Sequence, residues 1–148
     1  MTLLRKPHAI VITISDSASR GERQDLSGPA AKEGLEKIGC EVLAVLIVPD
    51  EIDAIQSRLL ESINSSDIDL IVTTGGTGLA PRDVTPEATA AVIEKPVPGM
   101  AELMRFEGMK ANPRAALSRG LVGIRNKTLI INLPGSVKGV RESLGAIA

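Results

Sequence analysis

The chain has 148 residues, a length at which folding removes roughly two-thirds of the unfolded surface from water around one core. It is 43% hydrophobic but 1% aromatic, with no Trp, no Tyr and one Phe, so the core is aliphatic and the stacking platforms of single-strand nucleic-acid binders are lacking. Lys and Arg number 17 against 18 Asp and Glu, a net charge of −1 without a like-charged block, which argues against a nucleic-acid partner.

The first predicted element is His8–Ile14, a β-branched apolar run that reads as a buried strand. The segment before it, Met1 to Pro7, has no signal-peptide hydrophobic region. No apolar run in the chain approaches the ~20 residues of a membrane span, so a cytoplasmic protein with no membrane partner is expected. Ser15 to Gly28 is polar and aperiodic, a long loop of the kind that carries function. A helix is predicted over 29–38, with Ser27 or Gly28 as cap, Pro29 at its first position and Gly39 at its end. Glu41–Val48 is a second apolar strand stopped by Pro49-Asp50, and Ile52, Ile55, Leu59, Leu60 and Ile63 then trace one face of a second helix.

Asp67 to Thr74 reads as the third strand and Gly75 to Thr85 as the next long loop. In Thr85-Pro86-Glu87, Thr85 is the expected cap, Pro86 the first helical residue and Glu87 a carboxylate at the positive end of a helix running to Glu94. Helical stretches over 100–109 and 113–119 follow, then a strand over 127–133, the turn Pro134-Gly135-Ser136 and a terminal helix over 137–147. Strand and helix alternate through links too long for hairpins, which implies parallel strands joined by right-handed crossovers. The expected fold class is α/β: a single domain over 1–148, a three-layer α/β/α sandwich with a mostly parallel central sheet. Open parallel sheets bind ligands beyond the carboxyl ends of their strands. Ser15-Asp16-Ser17, Pro49-Asp50-Glu51, the Gly75 loop and Pro134-Gly135-Ser136 all lie there and are expected to converge on one crevice.

Thr74-Gly75-Gly76-Thr77-Gly78 places three glycines and two hydroxyls directly after a buried strand. Glycine lets consecutive backbone N–H groups approach an anion, and the threonines add donors, so a phosphate can dock here; a purely structural turn is the alternative. The loop is neither a Walker A motif, since no Gly-Lys-Ser/Thr follows, nor a G-x-G-x-x-G fingerprint. Beyond it Arg82 can neutralise a phosphate, Asp83 can take part in magnesium ligation and Glu87 lies close by, unless Arg82 and Asp83 form a simple surface pair. Asp50 ends its strand at the same edge, so two carboxylates can share a metal-bound nucleotide, although Pro-Asp is also a common turn. Ser15, Asp16 and Ser17 are either ligand contacts or a solvated loop, and Ser136 either holds an anion or caps a helix. His8 reads as structural and Cys40, the lone cysteine, as a small core residue, which leaves no disulfide within the chain and no zinc site.

Together these segments, with Pro81-Arg82-Asp83-Val84-Thr85-Pro86-Glu87, Pro98-Gly99-Met100-Ala101-Glu102, Leu117-Ser118-Arg119 and Leu133-Pro134-Gly135-Ser136, resemble the MoaB/MogA family nearly end to end. The resemblance implies a compact molybdopterin-binding α/β/α domain that assembles as a homotrimer, with a hexamer as variant. It implies transfer of AMP from Mg-ATP to molybdopterin, with Mg2+ carried by the nucleotide and pyrophosphate released; members that bind molybdopterin without catalysis are the alternative. Carried over by motif, the family's catalytic and magnesium-directed carboxylates fall on Asp50 and Asp83. The family's pterin-binding glycines fall on Gly75, Gly76 and Gly78, with Ser136 in the matching anion-binding turn; with them, Ser15, Asp16, Ser17, Thr74, Thr77, Arg82, Glu87, Pro134 and Gly135 make up the candidate substrate-binding set. One departure is Val137 after Ser136, where many members carry proline. Molybdenum and tungsten pathways both remain open.

Overall fold

The computed structural model describes residues 5–65 and 67–148, so the first four residues of the expected leader-free start lie outside it. Four strands form the parallel part of the sheet: β1 (His8–Ile14), β2 (Glu41–Val48), β3 (Leu70–Thr74) and, last in sequence, β6 (Thr128–Leu133). Two shorter strands, β4 (Lys95–Pro96) and β5 (Val122–Arg125), complete a six-stranded sheet of order β2-β1-β3-β6-β5-β4, in which β4–β5 and β5–β6 pair antiparallel. The helices are α1 (Asp16–Ser19), α2 (Ser27–Lys37), α3 (Ile52–Asn64), α4 (Thr85–Ala90), α5 (Pro98–Ala111) and α6 (Val137–Ile147), with a 3-10 turn over Pro113–Leu117.

Alternation along the strands divides the core in two. Ala9 and Val11 of β1 face one side, where they meet Ala31 and Leu35 of α2, Met104 of α5 and Val140 and Leu144 of α6. Ile10, Ile12 and Ile14 face the other, against Ile55 and Leu59 of α3 and Ala88 of α4. Each face is closed by helices, so the three-layer sandwich follows from β-branched strands that are apolar on both sides. Ile12, Leu35, Ile55, Leu59, Ile71, Ile130 and Leu133 are among the fully buried side chains. Each such residue contributes roughly 1.5–3 kcal/mol of apolar burial before entropy is counted.

Several expectations are corrected by the structure. The links are not all too long for hairpins: β5 turns into β6 through Asn126-Lys127 alone, with Asn126 at φ 53°, so the sheet is mixed, with its antiparallel strands at one edge. Ser15 to Gly28 is not one loop, because Ser15 Oγ accepts from Ala18 N–H and caps the short α1. α2 begins at Ser27 without a side-chain cap from Ser27 or Gly28; Asp25 Oδ1 instead accepts the Gly28 N–H at 3.0 Å. Thr85 does not cap α4 either; it is buried inside the helix start, and its hydroxyl donates to the Gly75 carbonyl at 2.9 Å. α4 also stops at Ala90, short of Glu94, where the chain turns toward β4.

Candidate functional site

β1, β2, β3 and β6 all end at the same edge, and the segments leaving them enclose a cleft of about 350 Å³. Ser15, Asp50, Thr74, Gly75, Gly76, Asp83, Gly135 and Ser136 of the predicted residues line it, joined by Thr13, Arg23, Gln24 and Asp25. The four strand-end segments therefore meet as expected, and the two carboxylates face one space.

The glycine turn owes its shape to two left-handed residues, Gly75 at φ 103° and Gly76 at φ 69°. A Cβ on Gly76 would collide with Thr85 Oγ1, so both conformation and space demand glycine. Gly75 N–H donates to Leu133 O at 3.2 Å, Thr74 Oγ1 donates to Pro134 O at 2.6 Å, and the loop closes where Thr85 N–H donates to Gly76 O at 3.1 Å. Among the described residues the N–H groups of Gly76, Thr77, Gly78 and Leu79 find no protein acceptor, and the next donor, Ala80 N–H, is taken by Asp83 Oδ2 at 2.9 Å. Four consecutive backbone donors without partners are what an anion-binding nest offers.

Asp50 and Asp16 grip each other through their backbones. Asp16 N–H donates to Asp50 Oδ2 at 2.9 Å and Asp50 N–H donates to Asp16 Oδ1 at 3.0 Å. Burial pushes the Asp50 carboxyl above its ordinary value; the Asp16 N–H opposes that, while the charges of Asp16 and Asp83 add to it. The Arg82 fork, with Nε and Nη2 each 2.9 Å from an oxygen of Asp16, holds the Asp16 carboxyl below its ordinary value. A half-buried carboxylate with two negative neighbours costs free energy to ionise, and a cation arriving in the crevice relieves that cost.

Other predicted residues stand further back. Arg82 is spent on Asp16 and lies outside the cleft lining, as do Asp16 itself, Ser17, Thr77 and Gly78. Glu87 is paired with Arg119 at 2.7 Å, which holds its carboxyl below its ordinary value. Ser136 caps α6 by accepting Gly139 N–H at 3.0 Å, so its cap role is real, and it lines the cleft as well. Ser136 also borders a second concavity of about 220 Å³ between α5 and α6, whose wall includes Pro134. His8 sits at the far, amino end of β1 with its N–H on Asp69, and Cys40 is a buried core residue, both as expected.

Two residues stand at the site without a role assigned to them from the sequence, although Arg119 belongs to one of the resembling motifs. Asp25 accepts from Thr13 Oγ1 at 2.8 Å and from Gly28 N–H, standing as a third carboxylate in the crevice. Its position just ahead of a helix start was the signal available. Arg119 donates to Gly78 O at 2.8 Å, Asp83 O at 2.7 Å and Glu87, partners 41, 36 and 32 residues earlier, a separation no local pattern reveals.

The fold is thus a mixed-sheet α/β sandwich with a donor-rich glycine turn and carboxylates gathered at the carboxyl ends of its parallel strands. Residues 10–148 match the family model described as a probable molybdopterin binding domain. Relatives include a molybdopterin adenylyltransferase of Helicobacter pylori, 49% identical over 95% of this chain and 81% of that one. The molybdopterin adenylyltransferase of Escherichia coli K12 is 41% identical over 93% of this chain and 71% of its own. The crystal structure of the molybdopterin biosynthesis enzyme MoaB from Thermus thermophilus superposes with a TM-score of 0.89 at 51% identity, covering 95% of this chain and 88% of that one. The chain belongs to this molybdopterin-binding-domain family, in the MoaB/MogA group that its motifs resemble.

Proposed function

We propose that the protein transfers AMP from magnesium-bound ATP to molybdopterin in molybdenum-cofactor biosynthesis. An oxygen of the pterin's terminal phosphate attacks the α-phosphorus of ATP, the bond to the β-phosphate breaks, and pyrophosphate leaves with adenylyl-molybdopterin as product. The observation that carries this reading is that Asp50 and Asp83, from the segments after two different strands, line one crevice with Gly76, the first of four consecutive backbone donors unpaired among the described residues. Relatives named for this activity at 41–49% identity support it.

In this reading the amides of Gly76 to Gly78, with the hydroxyls of Thr77, Ser15 and Ser136, hold phosphate oxygens, and Gly75 and Gly135 let the ligand approach the backbone. Asp50 and Asp83 face the magnesium of the nucleotide. Among the described residues no three His, Cys, Asp or Glu side chains gather to cage a metal ion, which fits a cation that brings phosphate oxygens and water as most of its ligands. Nucleotidyl transfer asks the protein mainly for placement and charge stabilisation, and this set supplies both. Asp16 and Arg82 frame Asp50, and Ser17 and Glu87 complete the rim. Among the described residues no helix is long and apolar enough to cross a membrane. Cytoplasmic residence and a homotrimer belong to the same proposal, with exposed Leu103 and Phe106, three apart on α5, offering apolar surface that assembly would cover.

Incubation with molybdopterin and Mg-ATP is expected to yield pyrophosphate and adenylylated pterin in equal amounts. Asp83→Asn is expected to lower turnover by about a hundredfold or more while pterin still binds. Turnover unchanged in that variant removes Asp83 from the mechanism. Tight pterin binding by the parent protein with no product at saturating Mg2+ replaces the transferase by a binding protein.

A further inference from the structure

The stretch that carries Arg119 is fixed from beneath. Arg105 Nη1 donates to the carbonyls of Ser118 at 3.4 Å and Gly120 at 2.9 Å, and Asn132 Oδ1 accepts the Leu121 N–H at 3.0 Å. From this base Arg119 reaches across to the glycine loop. Its own N–H donates to Thr77 O at 2.9 Å, its Nε to Gly78 O at 2.8 Å and its Nη2 to Asp83 O at 2.7 Å. Nη1 takes Glu87 Oε2 at 2.7 Å, which fixes the guanidinium plane from the α4 side.

Three loop carbonyls therefore point at one residue. In a trans peptide the N–H lies opposite the carbonyl, so the N–H groups of Gly78, Leu79 and Val84 are turned away from Arg119. Two of those, Gly78 and Leu79, are among the four donors without an acceptor among the described residues. Gathering Gly78 O and Asp83 O on the guanidinium, and Thr77 O on the Arg119 main-chain N–H, has a second effect: their lone pairs are turned toward Arg119 and off the opposite face. The Asp83 carbonyl is held by the same fork, so the residue carrying one of the three crevice carboxylates is anchored at its backbone as well as by its own side-chain bond to Ala80 N–H.

We propose that Arg119, seated on Glu87, is a positioning residue that sets the peptide planes of the glycine loop and the backbone of Asp83 without touching substrate. The proposal rests on the adenylyl-transfer reading for its kinetic consequence but not for its structural one. Misplacing a reacting group by about 1 Å costs on the order of a hundredfold in rate, and a loosened loop affects the transition state more than initial binding.

Arg119→Lys keeps the charge and loses the fork, Arg119→Ala loses both, and Glu87→Gln keeps a neutral acceptor for the fork. The expected result in Arg119→Lys is a kcat lowered by about tenfold or more with KM for ATP within about threefold, a larger kcat loss in Arg119→Ala and a smaller one in Glu87→Gln. Amide hydrogen exchange over residues 76–84 is expected to quicken in the same order while β1, β3 and β6 keep their protection. A folded Arg119→Lys with kcat within about twofold of the parent, or with unchanged exchange over 76–84, overturns the proposal. Should Arg119→Ala fail to fold, the lysine and glutamine variants decide it. Should the parent itself yield no adenylylated pterin, the functional reading fails, and the exchange measurement alone then decides the clamp.

Discussion

The loops that follow β1 and β3 build the same crevice by different means. The one after β3 is held through its backbone: left-handed glycines, a buried Thr85 hydroxyl on Gly75 O and the hold of Arg119 on three carbonyls leave a run of N–H groups with no acceptor among the described residues. The one after β1 is held through carboxylates, with Asp16 on Asp50 N–H and Arg82, and Asp25 on Thr13 and Gly28. One loop thus spends its acceptors to expose donors, and the other spends donors to satisfy acids. The division is not complete, because Asp83, which lines the crevice with Asp50, is carried by the donor-bearing loop itself and accepts Ala80 N–H there.

Substitutions that unfasten one loop and leave the other sharpen the comparison. The largest effect is expected from Gly76→Ala, which meets both a left-handed φ and the Thr85 hydroxyl. A stability loss of about 3 kcal/mol follows, read as a thermal midpoint lower by roughly 6–12 °C. A midpoint unchanged in Gly76→Ala would mean that the turn is not held as described.

Next comes Asp25→Ala, which strips the partner from a buried Thr13 hydroxyl and from Gly28 N–H. About 1–2 kcal/mol is expected in chemical denaturation, with exchange over residues 76–84 unaltered, since that loop has its own fastenings.

The smallest effect is expected from Arg82→Gln, because the Arg82 side chain is 60% exposed in its pair with Asp16. Its value lies in pH dependence. Arg82 depresses the Asp16 carboxyl in the folded state, so the pair stabilises above the ordinary carboxylate range, and that contribution is lost as pH falls through the depressed value. Thermal midpoints of parent and Arg82→Gln should therefore converge on acidification. A gap that widened instead would contradict the assignment of Arg82 to Asp16.

The parallel half of the sheet was legible because β1, β2, β3 and β6 are apolar on both faces and long enough to register as runs. Asp50 and Asp83, though not Asp25, were legible for the same reason: a strand followed closely by Pro49-Asp50 or by a glycine turn announces which edge its loop occupies. β5 was not. Its Val-Gly-Ile-Arg carries a glycine and an arginine in four residues, and Asn126-Lys127 lacks the glycine that usually marks a two-residue hairpin. Helix α1 is a single turn closed by Ser15, too short for any periodicity to appear. Arg119 was hidden for a further reason, since its partners come from a strand end and a helix brought beside it only by the antiparallel edge.

Gly135 and Gly75 touch with no side chain between them: a Cβ on Gly135 would stand 3.3 Å from the Gly75 Cα, and Thr74 and Gly75 both bond to the Leu133-Pro134 backbone. Main chain resting on main chain has no rotamer to yield. A methyl group added at Gly135 would therefore press on the main chain of Gly75 itself, so the turn ahead of α6 and the turn after β3 keep their close spacing through the absence of a side chain.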